Sequence, residues 1–597
     1  MQAAKITWPL RQSFFYTRYF LRDYLKIILL IQGLFLLICL PTLTFLFRYT
    51  LRFAGLSSLT NSNFWQILQD PISLFFLLLT ILFLLFVIYI EYTTIFFLTY
   101  HHQMQLPFTW KKFVQQLVRK AKFLFSFQLF FFLLYFILII PLAGHLLSNS
   151  ISDNIQLPNF ITEELLKSTR GQLVYYGMLV LIFILNLFFL LTMPIFVNRE
   201  KQTIFQSIAE SFYIMRRHFF TSFLSIAFLT LLLSLITLLV TFICLVPTVI
   251  ADTYFNQSAP FIAGLSLTVA EGLLFILIGL STVLFAQLVT AIWLQGSNLS
   301  VPTRPQTKQT SQKKFRRTIL TIASLSFVFF ASANIFYMYE VTYTPHTKII
   351  AHRGYVVKGV ENTIPALIAA KPYHPAYIEM DIQQTKDKQF VVIHDFNLRR
   401  LAGINKDVAD MTLAELTKVT VSAEGHTAKI PSLDEYIEAA KENNLRLLIE
   451  IKPHGKESAD MLDRFVEVLQ KHHVENEYMV QSLDKQVVDG LLARNVPFKV
   501  GYIVPFNIGS LVDTKAHFLV IEEFSYRDRL LEQAHQKGMD LFVWTPNTKE
   551  AISRYMRADV DAIITDELRT AEQVSTHLAD NYSFTERLGD MLTDMFD

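Results

Sequence analysis

Seven long apolar segments before residue 340 constrain this chain more than any other feature. A helix that crosses the ~30 Å hydrocarbon layer of a membrane needs about 20 mostly apolar residues, and each segment reaches that length. The segments lie near residues 26–47, 72–98, 123–147, 173–197, 219–248, 262–294 and 318–339. The fifth and sixth exceed one crossing, which predicts that they tilt or break. We therefore predict a multi-pass membrane domain over residues 1–340 with about seven transmembrane helices, numbered here as spans one to seven.

The positions of Lys and Arg predict the direction in which these spans cross, because short cytoplasmic loops carry the excess of positive charge. Basic residues are concentrated before span one and after spans two, four and six. They are Arg11, Arg18, Arg22, Lys26, Lys111, Lys112, Arg119, Lys120, Lys122, Arg199, Lys201, Arg216, Arg217, Arg304, Lys308, Lys313, Lys314, Arg316 and Arg317. The N-terminus is therefore predicted to lie inside, and seven spans place everything after Glu340 outside the cell.

Three of the basic stretches also carry apolar residues at helical spacing, most clearly the stretch that begins at Trp110. Each is followed by a span with a proline near its outer end, at Pro41, Pro141 or Pro247, and then by a second span. This order indicates three repeats of an interfacial helix and a hairpin of spans. The alternative is that basic flanks and prolines are common features of membrane helices.

Charge and cysteine content exclude several other classes of protein. A net charge of +3 is nearly neutral for 597 residues, so it gives no support to nucleic acid binding. The two cysteines, Cys39 and Cys244, both lie in apolar segments, which predicts neither a disulfide framework nor a thiolate metal site in the polar part. The first apolar segment continues past Leu40, which predicts a retained helix rather than a cleaved signal peptide. Glu271 lies inside span six, where an ionisable group is a candidate for transport or lipid binding.

The chain changes character at Thr347, where short apolar runs begin to alternate with helical stretches. Eight runs, from KIIAH at Lys348 to DAIITD at Asp561, suit the eight strands of an α/β TIM barrel over residues 341–580. Residues 581–597 predict a C-terminal amphipathic helix with an acidic face that anionic lipid would repel, so we expect it to pack on protein. Only about eight residues join span seven to the first strand, so we expect by default that the N-terminal face of the barrel lies nearest the membrane and the opposite face points outward. The alternative is a tipped barrel, which would favour lipid substrates over soluble or polymeric ones.

Polar residues cluster at the predicted carboxyl ends of the strands, where TIM barrels carry their catalytic groups. Glu379 and Asp381 are two residues apart and so face the same side of a strand, as do Glu450 and Lys452. Three converging acids favour a hard divalent cation, Ca²⁺ or Mg²⁺. The candidates for proton transfer near neutral pH are His352 and His394. The alternative is a structural ion-pair network that satisfies these buried charges.

Residues from about Ile349 to Thr570 resemble the glycerophosphodiester phosphodiesterase family. The matching motifs are HRG at His352, ENT at Glu361, IEMDIQQTKD from Ile378, VVIHD ending at Asp395, IPSLDE from Ile430, LLIEIKP from Leu447 and WTPN from Trp544. The membrane part is similar to the domain fused to such enzymes in Gram-positive bacteria. The chain departs from the family at Val360, where Pro is frequent, at Lys388, where Gly is usual, and at the LRRLAG segment after His394.

The resemblance implies a role for each of these residues. It implies that Glu379, Asp381 and Glu450 bind the metal and that His352 and His394 act as acid and base. Arg353 and Lys452 would contact the phosphate oxygens. A hydroxyl of the substrate's own glycerol would attack phosphorus, and water would then open the cyclic phosphate. Trp544, at the end of strand seven, is expected to form an apolar wall for glycerol with Asn547 nearby; the alternative is a packing aromatic. By their position after strand five, Tyr502 and Phe506 are expected to line the leaving-group side.

These features predict a phosphoric diester hydrolase that converts glycerophosphodiesters to glycerol phosphate and an alcohol at the outer membrane surface. Alternative substrates are lysophospholipid, phosphatidylglycerol or a glycerol-phosphate envelope polymer such as teichoic acid. An alternative of a different class is a lipid-binding or transport protein with a degenerate barrel. The complete set of acids and histidines argues against that alternative.

Overall fold

The computed structural model describes residues 2–135, 162, 165–166, 169–302, 313–340, 346–580 and 582–594. Within these ranges, six helices are long and apolar enough to cross a membrane: Thr7–Phe53, Pro71–Gln103, Thr169–Asn198, Ile204–Tyr254, Ala259–Gly296 and Leu320–Tyr339. They correspond to predicted spans one, two, four, five, six and seven, so the multi-pass helical membrane domain is confirmed. Predicted span three, 123–147, runs beyond residue 135 into residues outside the described ranges.

The helices of the membrane part are bounded as follows. They are α1 (Gln2–Leu34), α2 (Leu40–Phe53), α3 (Phe64–Gln69), α4 (Pro71–Gln103), α5 (Trp110–Ala121), α6 (Thr169–Phe189), α7 (Thr192–Asn198), α8 (Ile204–Tyr254), α9 (Ala259–Gly296) and α10 (Lys313–Glu340). Helix α1 has a non-helical residue at Phe20 and α8 has one at His218. In α8 the kink follows the basic residues Arg216 and Arg217, whereas in α1 it lies within the basic stretch, before Arg22 and Lys26. The threefold repeat stays a prediction.

Helices α8 and α9 are longer than the membrane. The 38 residues of α9 extend about 57 Å at a rise of 1.5 Å per residue, against a hydrocarbon thickness of ~30 Å. Tilts of up to about 40° do not absorb that difference. Part of α8 and α9 therefore projects beyond the hydrocarbon layer. In this pair of spans Glu271 accepts a hydrogen bond of 2.9 Å from Asn334 Nδ2 of span seven, which gives it a structural partner.

The basic stretches meet at one end of the helix bundle. The buried Nζ atom of Lys120, in α5, donates to the carbonyls of Arg199 at 2.6 Å and Gln202 at 2.7 Å. Ser13, in the first turns of α1, donates to the carbonyl of Leu284 near the end of α9. These bonds tie the first, second and third interfacial segments to the same end of the spans.

The polar part is a closed barrel of eight parallel strands. They are β2 (Lys348–Ala351), β3 (Tyr377–Gln384), β7 (Leu447–Ile451), β8 (Met479–Ser482), β9 (Lys499–Val504), β11 (Phe518–Glu522), β12 (Asp540–Trp544) and β13 (Ala562–Thr565), with β13 pairing back to β2. Strand β4 (Phe390–Val392) pairs antiparallel with β3, and β5 (Thr420–Ala423) forms a hairpin with β6 (His426–Lys429). The predicted TIM barrel is confirmed.

Helices cover the outside of this barrel. They are α11 (Ile364–Ala370), α12 (Arg399–Ala402), α13 (Leu413–Leu416), α14 (Leu433–Glu442), α15 (Met461–His472), α16 (Lys485–Ala493), α17 (Asp528–Gln536), α18 (Lys549–Arg557), α19 (Leu568–Asp580) and, after the barrel, α20 (Phe584–Asp594). A capping box opens α14, where Glu435 N donates to Ser432 Oγ at 3.2 Å and Ser432 N donates to Glu435 Oε2 at 2.8 Å. The β9 to β11 connection instead contains a short strand, β10 (Asn507–Gly509).

Strand alternation sorts the barrel side chains into two faces. On β3, Ile378, Met380 and Ile382 pack beneath the helices, so Glu379 and Asp381 face the interior. The lower interior is apolar and includes Ile350, Leu448, Met479, Phe518, Phe542 and Ile564. A side chain on Gly501 would lie 2.1 Å from the Phe518 ring, so this position needs glycine to let the ring fill the barrel. The acids therefore lie above an apolar plug, at the carboxyl ends of the strands.

Two contacts join the barrel to the membrane part. Strand β1 (Ser58–Thr60), in the loop between spans one and two, pairs antiparallel with β10. Helix α20 packs on α8 and α9, which confirms the expectation that it packs on protein. The barrel does not stand upright on its N-terminal face, as expected by default, but is tipped: β10 follows the carboxyl end of β9, whereas α20 pairs with Arg557, which ends α18 at the opposite end of the barrel. These contacts, rather than the short tether after Glu340, fix the orientation of the barrel.

Candidate active site

Three buried carboxylates meet at the carboxyl ends of β3 and β7. Asp381 lies opposite Glu450 in the parallel register of the two strands, and Glu379 precedes Asp381 on the same face. One oxygen from each of the three lies within 4.8 Å of the others, and each residue is less than a tenth exposed. The two-residue spacing and the strand register together produce the cluster predicted from the sequence.

The charges of this cluster are unevenly balanced. Burial raises the pKa of Glu379 well above its usual range, and the neighbouring Asp381 and Glu450 raise it further. Burial also raises the pKa of Glu450 to about 7, although Lys452 opposes the change. Burial acts on Asp381 too, but His394, Lys452 and Arg353 hold its pKa below the usual range. Two of the three carboxylates are therefore short of positive charge.

This imbalance fits a divalent cation better than a closed network of ion pairs. The Oε1 atom of Glu450 is buried and accepts no hydrogen bond within the part of the chain that the structure describes. Arg353 and Lys452 lie beside the cluster, but Lys452 Nζ is 3.6 Å from Asp381 Oδ1 and 3.8 Å from Glu450 Oε1. Oxygen ligands of this kind suit Ca²⁺ or Mg²⁺. The donor set therefore fits the metal site that the sequence predicted.

Arg353 connects the acids to the loop after β2. Its backbone N–H donates to Glu379 Oε2 at 3.1 Å, its Nη1 donates to Glu361 Oε1 at 2.9 Å, and its Nε lies 3.4 Å from Asp381 Oδ2. Burial alone would lower the pKa of the guanidinium, but these three carboxylates raise it above its ordinary value. Arg353 therefore stays charged beside the cluster. The turn is tight, since a side chain on Gly354 would meet the backbone of Ala366 at 2.8 Å.

Each of the two predicted catalytic histidines has one ring nitrogen held by a carboxylate. His352 Nδ1 lies 2.9 Å from Asp566 Oδ1, and His394 Nδ1 lies 2.9 Å from Asp395 Oδ1. The opposite ring nitrogen, Nε2, is then the atom left for proton transfer with a substrate. Burial lowers the pKa of His394 to about 4, with a smaller contribution from Arg353, so this imidazole is neutral near pH 7.

Several supporting residues were not predicted from the sequence. Asp566 follows β13, and it accepts a hydrogen bond from Asn547 Nδ2 at 2.8 Å while its own N–H donates to Asn547 Oδ1 at 2.9 Å. Asn547, predicted to bind substrate, holds with its side-chain amide the aspartate that holds His352. Asp566 could have been found, because it ends a barrel strand as His352 does.

A buried glutamine holds the turn that carries His394. The Nε2 atom of Gln383 lies 3.1 Å from the carbonyl oxygen of Ile393 and 3.0 Å from those of His394 and Asp395. Gln383 is two residues beyond Asp381 on the same strand face. That spacing was the available signal for it.

The LRRLAG segment, which departs from the family pattern, supplies an arginine to the site. Arg400 Nε donates to Asp395 Oδ2 at 2.7 Å, and its Nη2 donates to Glu361 Oε1 at 2.7 Å. Despite burial, Arg353 and Arg400 hold the pKa of Glu361 below its usual range. Arg400 therefore bridges the carboxylates of Glu361 and Asp395 beside His394 and offsets part of their negative charge.

The aromatic residues predicted around the substrate divide into two groups. Trp544 is only partly buried at the end of β12, where it packs on the apolar interior. Tyr502 points outward into the core beneath the helices, so the prediction that it lines the leaving-group side is wrong. Phe506 is partly buried and packs against the membrane part beside Leu51 and Leu59; its place on the leaving-group side stays a prediction.

Comparisons with known proteins agree with this architecture. Residues 10–332 match the family model described as the membrane domain of glycerophosphoryl diester phosphodiesterase, and residues 352–570 match the glycerophosphoryl diester phosphodiesterase family. The glycerophosphodiester phosphodiesterase of Caldanaerobacter subterraneus subsp. tengcongensis is 29% identical over 234 residues, which are 38% of this chain and 96% of that protein. The glycerophosphodiester phosphodiesterase of Bacillus altitudinis is 25% identical over 232 residues, 37% of this chain and 94% of that protein.

Among solved structures, an Oleispira antarctica phosphodiesterase in complex with the product sn-glycerol-3-phosphate covers 38% of this chain and 96% of its own, with 21% identity and a TM-score of 0.35. The first family model alone spans more than half of the 597 residues. The chain therefore belongs to the glycerophosphodiester phosphodiesterase family of enzymes, in the form that carries the family's membrane domain.

Proposed function

We propose that this enzyme uses one divalent cation, Ca²⁺ or Mg²⁺, to hydrolyse glycerophosphodiesters to glycerol phosphate and an alcohol at the outer membrane surface. The observation that carries the proposal is the group formed by Glu379, Asp381 and Glu450, whose oxygens approach within 4.8 Å. His352 and His394 flank this group, and each has its Nδ1 atom held by an aspartate.

In this proposal the acids hold the cation, and the other residues handle charge and protons. When bound, the cation supplies positive charge to the phosphate oxygens. Arg353 and Lys452 add fixed positive charge beside the same oxygens. One imidazole accepts the proton of a free glycerol hydroxyl as its oxygen attacks phosphorus, and the other donates a proton to the oxygen of the departing alcohol. Water then adds to the cyclic phosphate, with the two imidazoles exchanging roles.

The location outside the cell is supported by where the barrel and the basic segments lie. At one end of the bundle Lys120 donates to the carbonyl of Arg199, and Tyr16 of the first basic segment donates to the carbonyl of Pro302 beyond the end of α9; the excess of Lys and Arg marks a cytoplasmic end. Strand β10 of the barrel pairs with β1, and Thr585 of α20 donates to Asp252 near the end of α8. Both β1 and Asp252 belong to the opposite end of the bundle. We propose a division into a membrane domain at 1–340, a barrel at 341–580 and a C-terminal helix within 581–597.

A direct assay tests this proposal. The full-length protein, purified into lipid nanodiscs, is given glycerophosphocholine, and free choline is measured with EDTA and after addition of Ca²⁺ or Mg²⁺. We expect choline release that EDTA abolishes and that one of the two cations restores. Cleavage that continues in EDTA would contradict metal dependence. Binding without cleavage under every condition would favour the alternative of a lipid-binding protein with a degenerate barrel.

A further inference from the structure

An apolar groove lies between the start of α1 and the middle of α8 in the membrane domain. Its volume is about 880 Å³, within the range of roughly 300 to 1,000 Å³ that is usual for pockets that bind small molecules. The side chains that line it are Thr7, Leu10, Arg11, Phe14, Phe15, Leu224, Ala227, Phe228 and Leu231. None of them belongs to the barrel or to the proposed reaction, so a ligand of this groove would be distinct from the substrate.

Helical spacing on both helices forms the two walls of the groove. The α1 wall runs from Thr7 to Phe15 and the α8 wall from Leu224 to Leu231, and along each helix the lining residues recur at intervals of three or four. Each helix therefore turns one face toward the groove. Ala227 has the smallest side chain of the α8 wall, so the two helices leave space there that a bulkier residue would fill.

The groove is open along one side. Phe14, Phe15, Leu224, Phe228 and Leu231 are each between 40% and 60% exposed. Exposed apolar side chains of a membrane domain face lipid, where contact with acyl chains removes their surface from water. A lipid chain can therefore enter the groove from the side.

Hydrogen bonds place the α1 wall at the basic end of the helix bundle. Ser13 Oγ donates to the carbonyl of Leu284, and Tyr16 OH donates to the carbonyl of Pro302 beyond the end of α9, both at 3.1 Å. Helix α1 then kinks at Phe20 before it continues as span one. The groove therefore lies in the leaflet at the basic end, within reach of lipid headgroups.

Arg11 gives the groove a charged end. It is the one ionisable residue among the lining residues. Its side chain is exposed, and within the part of the chain that the structure describes its guanidinium has no ion pair or hydrogen bond to protein. The sequence of α1 carries a single acid, Asp23, against Lys5, Arg11, Arg18, Arg22 and Lys26. A guanidinium matches the geometry of a phosphate group, so a negatively charged headgroup would complement this end of the groove.

We propose that the groove binds an anionic phospholipid of the leaflet at the basic end of the bundle, with an acyl chain between α1 and α8 and the phosphate on Arg11. The apolar walls alone would accept the chain of any lipid, and the arginine adds the preference for a negative headgroup. Because the lipid contacts both helices, it joins the first interfacial segment to span five. The site is separate from the catalytic residues, so the proposal does not depend on the proposed function.

Native mass spectrometry of the full-length protein in detergent tests the proposal. The lipids compared are phosphatidylglycerol and phosphatidylcholine with identical acyl chains, and the quantity measured is the apparent Kd of the first lipid bound. The groove variants are Ala227→Phe, which fills the space between the walls, and Arg11→Gln, which removes the charge. The matched controls are Ala323→Phe, at an exposed position of span seven, and Arg18→Gln, at an exposed position of α1 outside the groove.

We expect the wild type to bind phosphatidylglycerol about fivefold more tightly than phosphatidylcholine, the effect of one basic residue at a charged lipid surface. Arg11→Gln should remove this preference. Ala227→Phe should weaken the binding of both lipids by about tenfold, because the chain loses apolar contact, and neither control should differ from the wild type.

Three results would overturn the proposal. Equal affinity of the wild type for the two lipids would remove the anionic headgroup, and unchanged binding in a folded Ala227→Phe protein would remove the groove as the site. An equal loss of preference in Arg18→Gln and Arg11→Gln would show that surface charge alone attracts the lipid. If thermal unfolding shows that Ala227→Phe does not fold, the comparison of Arg11→Gln with Arg18→Gln decides.

Discussion

His352 Nδ1 lies 2.9 Å from Asp566 Oδ1, and that carboxylate is itself held by the side-chain amide of Asn547. This chain of contacts restrains the imidazole through Nδ1 and leaves Nε2 for proton transfer. We expect Asp566→Asn to lower kcat by about 10- to 100-fold. Loss of a carboxylate that orients a functional histidine through its other ring nitrogen typically has an effect of this size. KM for glycerophosphocholine should change little. A fall in kcat/KM that arises from KM alone would show that Asp566 acts on substrate binding instead of on His352.

Glu450→Gln tests the metal site most directly. The substitution keeps the volume of the side chain and removes the charge of an oxygen that accepts no hydrogen bond in the described part of the chain. We expect choline release to disappear at every concentration of Ca²⁺ or Mg²⁺, while the circular dichroism spectrum is retained. Glu442→Gln, the same substitution at an exposed glutamate that ends α14, is the matched control and should keep wild-type activity. Full activity in Glu450→Gln would remove this residue from the site.

The raised pKa of Glu450 gives the metal-free protein a specific dependence on pH. The carboxyl group releases its proton at about 7 in the folded chain, against 4.5 for its ordinary value. Between these values the folded state binds more protons than the unfolded state, so this contribution to stability is present below pH 4.5 and is lost as pH rises through 7. A shift of this size corresponds to a free energy on the order of 3 kcal/mol.

The measurement is the free energy of unfolding of wild type and Glu450→Gln in EDTA. His394, whose pKa is lowered to about 4, acts in the opposite direction between pH 4 and its ordinary 6.5, but it is present in both proteins and cancels in the comparison. The glutamine variant should gain stability relative to wild type as pH rises from 5 to 8. A difference that does not vary with pH would contradict the raised pKa.

The residues that sequence reasoning placed correctly are those governed by local periodicity. Glu379, Asp381 and Glu450 were found because alternation along a strand is fixed at two residues and because catalytic groups follow the carboxyl ends of barrel strands. Asp566 obeys the same rule, but a lone aspartate after a strand resembles an ordinary turn residue. The pairing of β1 with β10 could not be predicted, since three-residue strands far apart in the chain carry no distinctive pattern. Without that pairing, the short tether after Glu340 predicted an upright barrel, whereas the contacts of β10 and α20 tip it.

A disulfide between Leu59→Cys and Ile508→Cys should report the pairing of β1, in the membrane domain, with β10 of the barrel. The two residues lie directly opposite each other in an antiparallel pair, where Cα separations of about 4.5 to 5.5 Å suit a disulfide. The native cysteines, Cys39 and Cys244, are both buried. With a protease site inserted between Glu340 and His346, the cut barrel should stay attached on a non-reducing gel. Leu59→Cys with Ile368→Cys is the control, and equal cross-linking of the two pairs would count against the docked geometry.

The C-terminal helix should act as a clamp and not as a lipid anchor. Leu588 is fully buried against α9, and Asp590 and Asp594 lie within ion-pair distance of Arg557, so both faces of α20 contact protein. Truncation after Asn581 removes all of these contacts, and Leu588→Ala removes part of the apolar one at a cost of about 2 to 5 kcal/mol. We expect both variants to unfold at lower temperature and to be cut faster by protease at residues 341–345, while Thr593→Ala, at an exposed position of the same helix, behaves as wild type.

The choice of substrate should not change in either variant, because β10 still pairs with β1. The ratio of lysophosphatidylcholine cleavage to glycerophosphocholine cleavage should therefore equal that of the wild type. A selective loss of the lipid substrate after truncation would instead assign α20 to substrate capture.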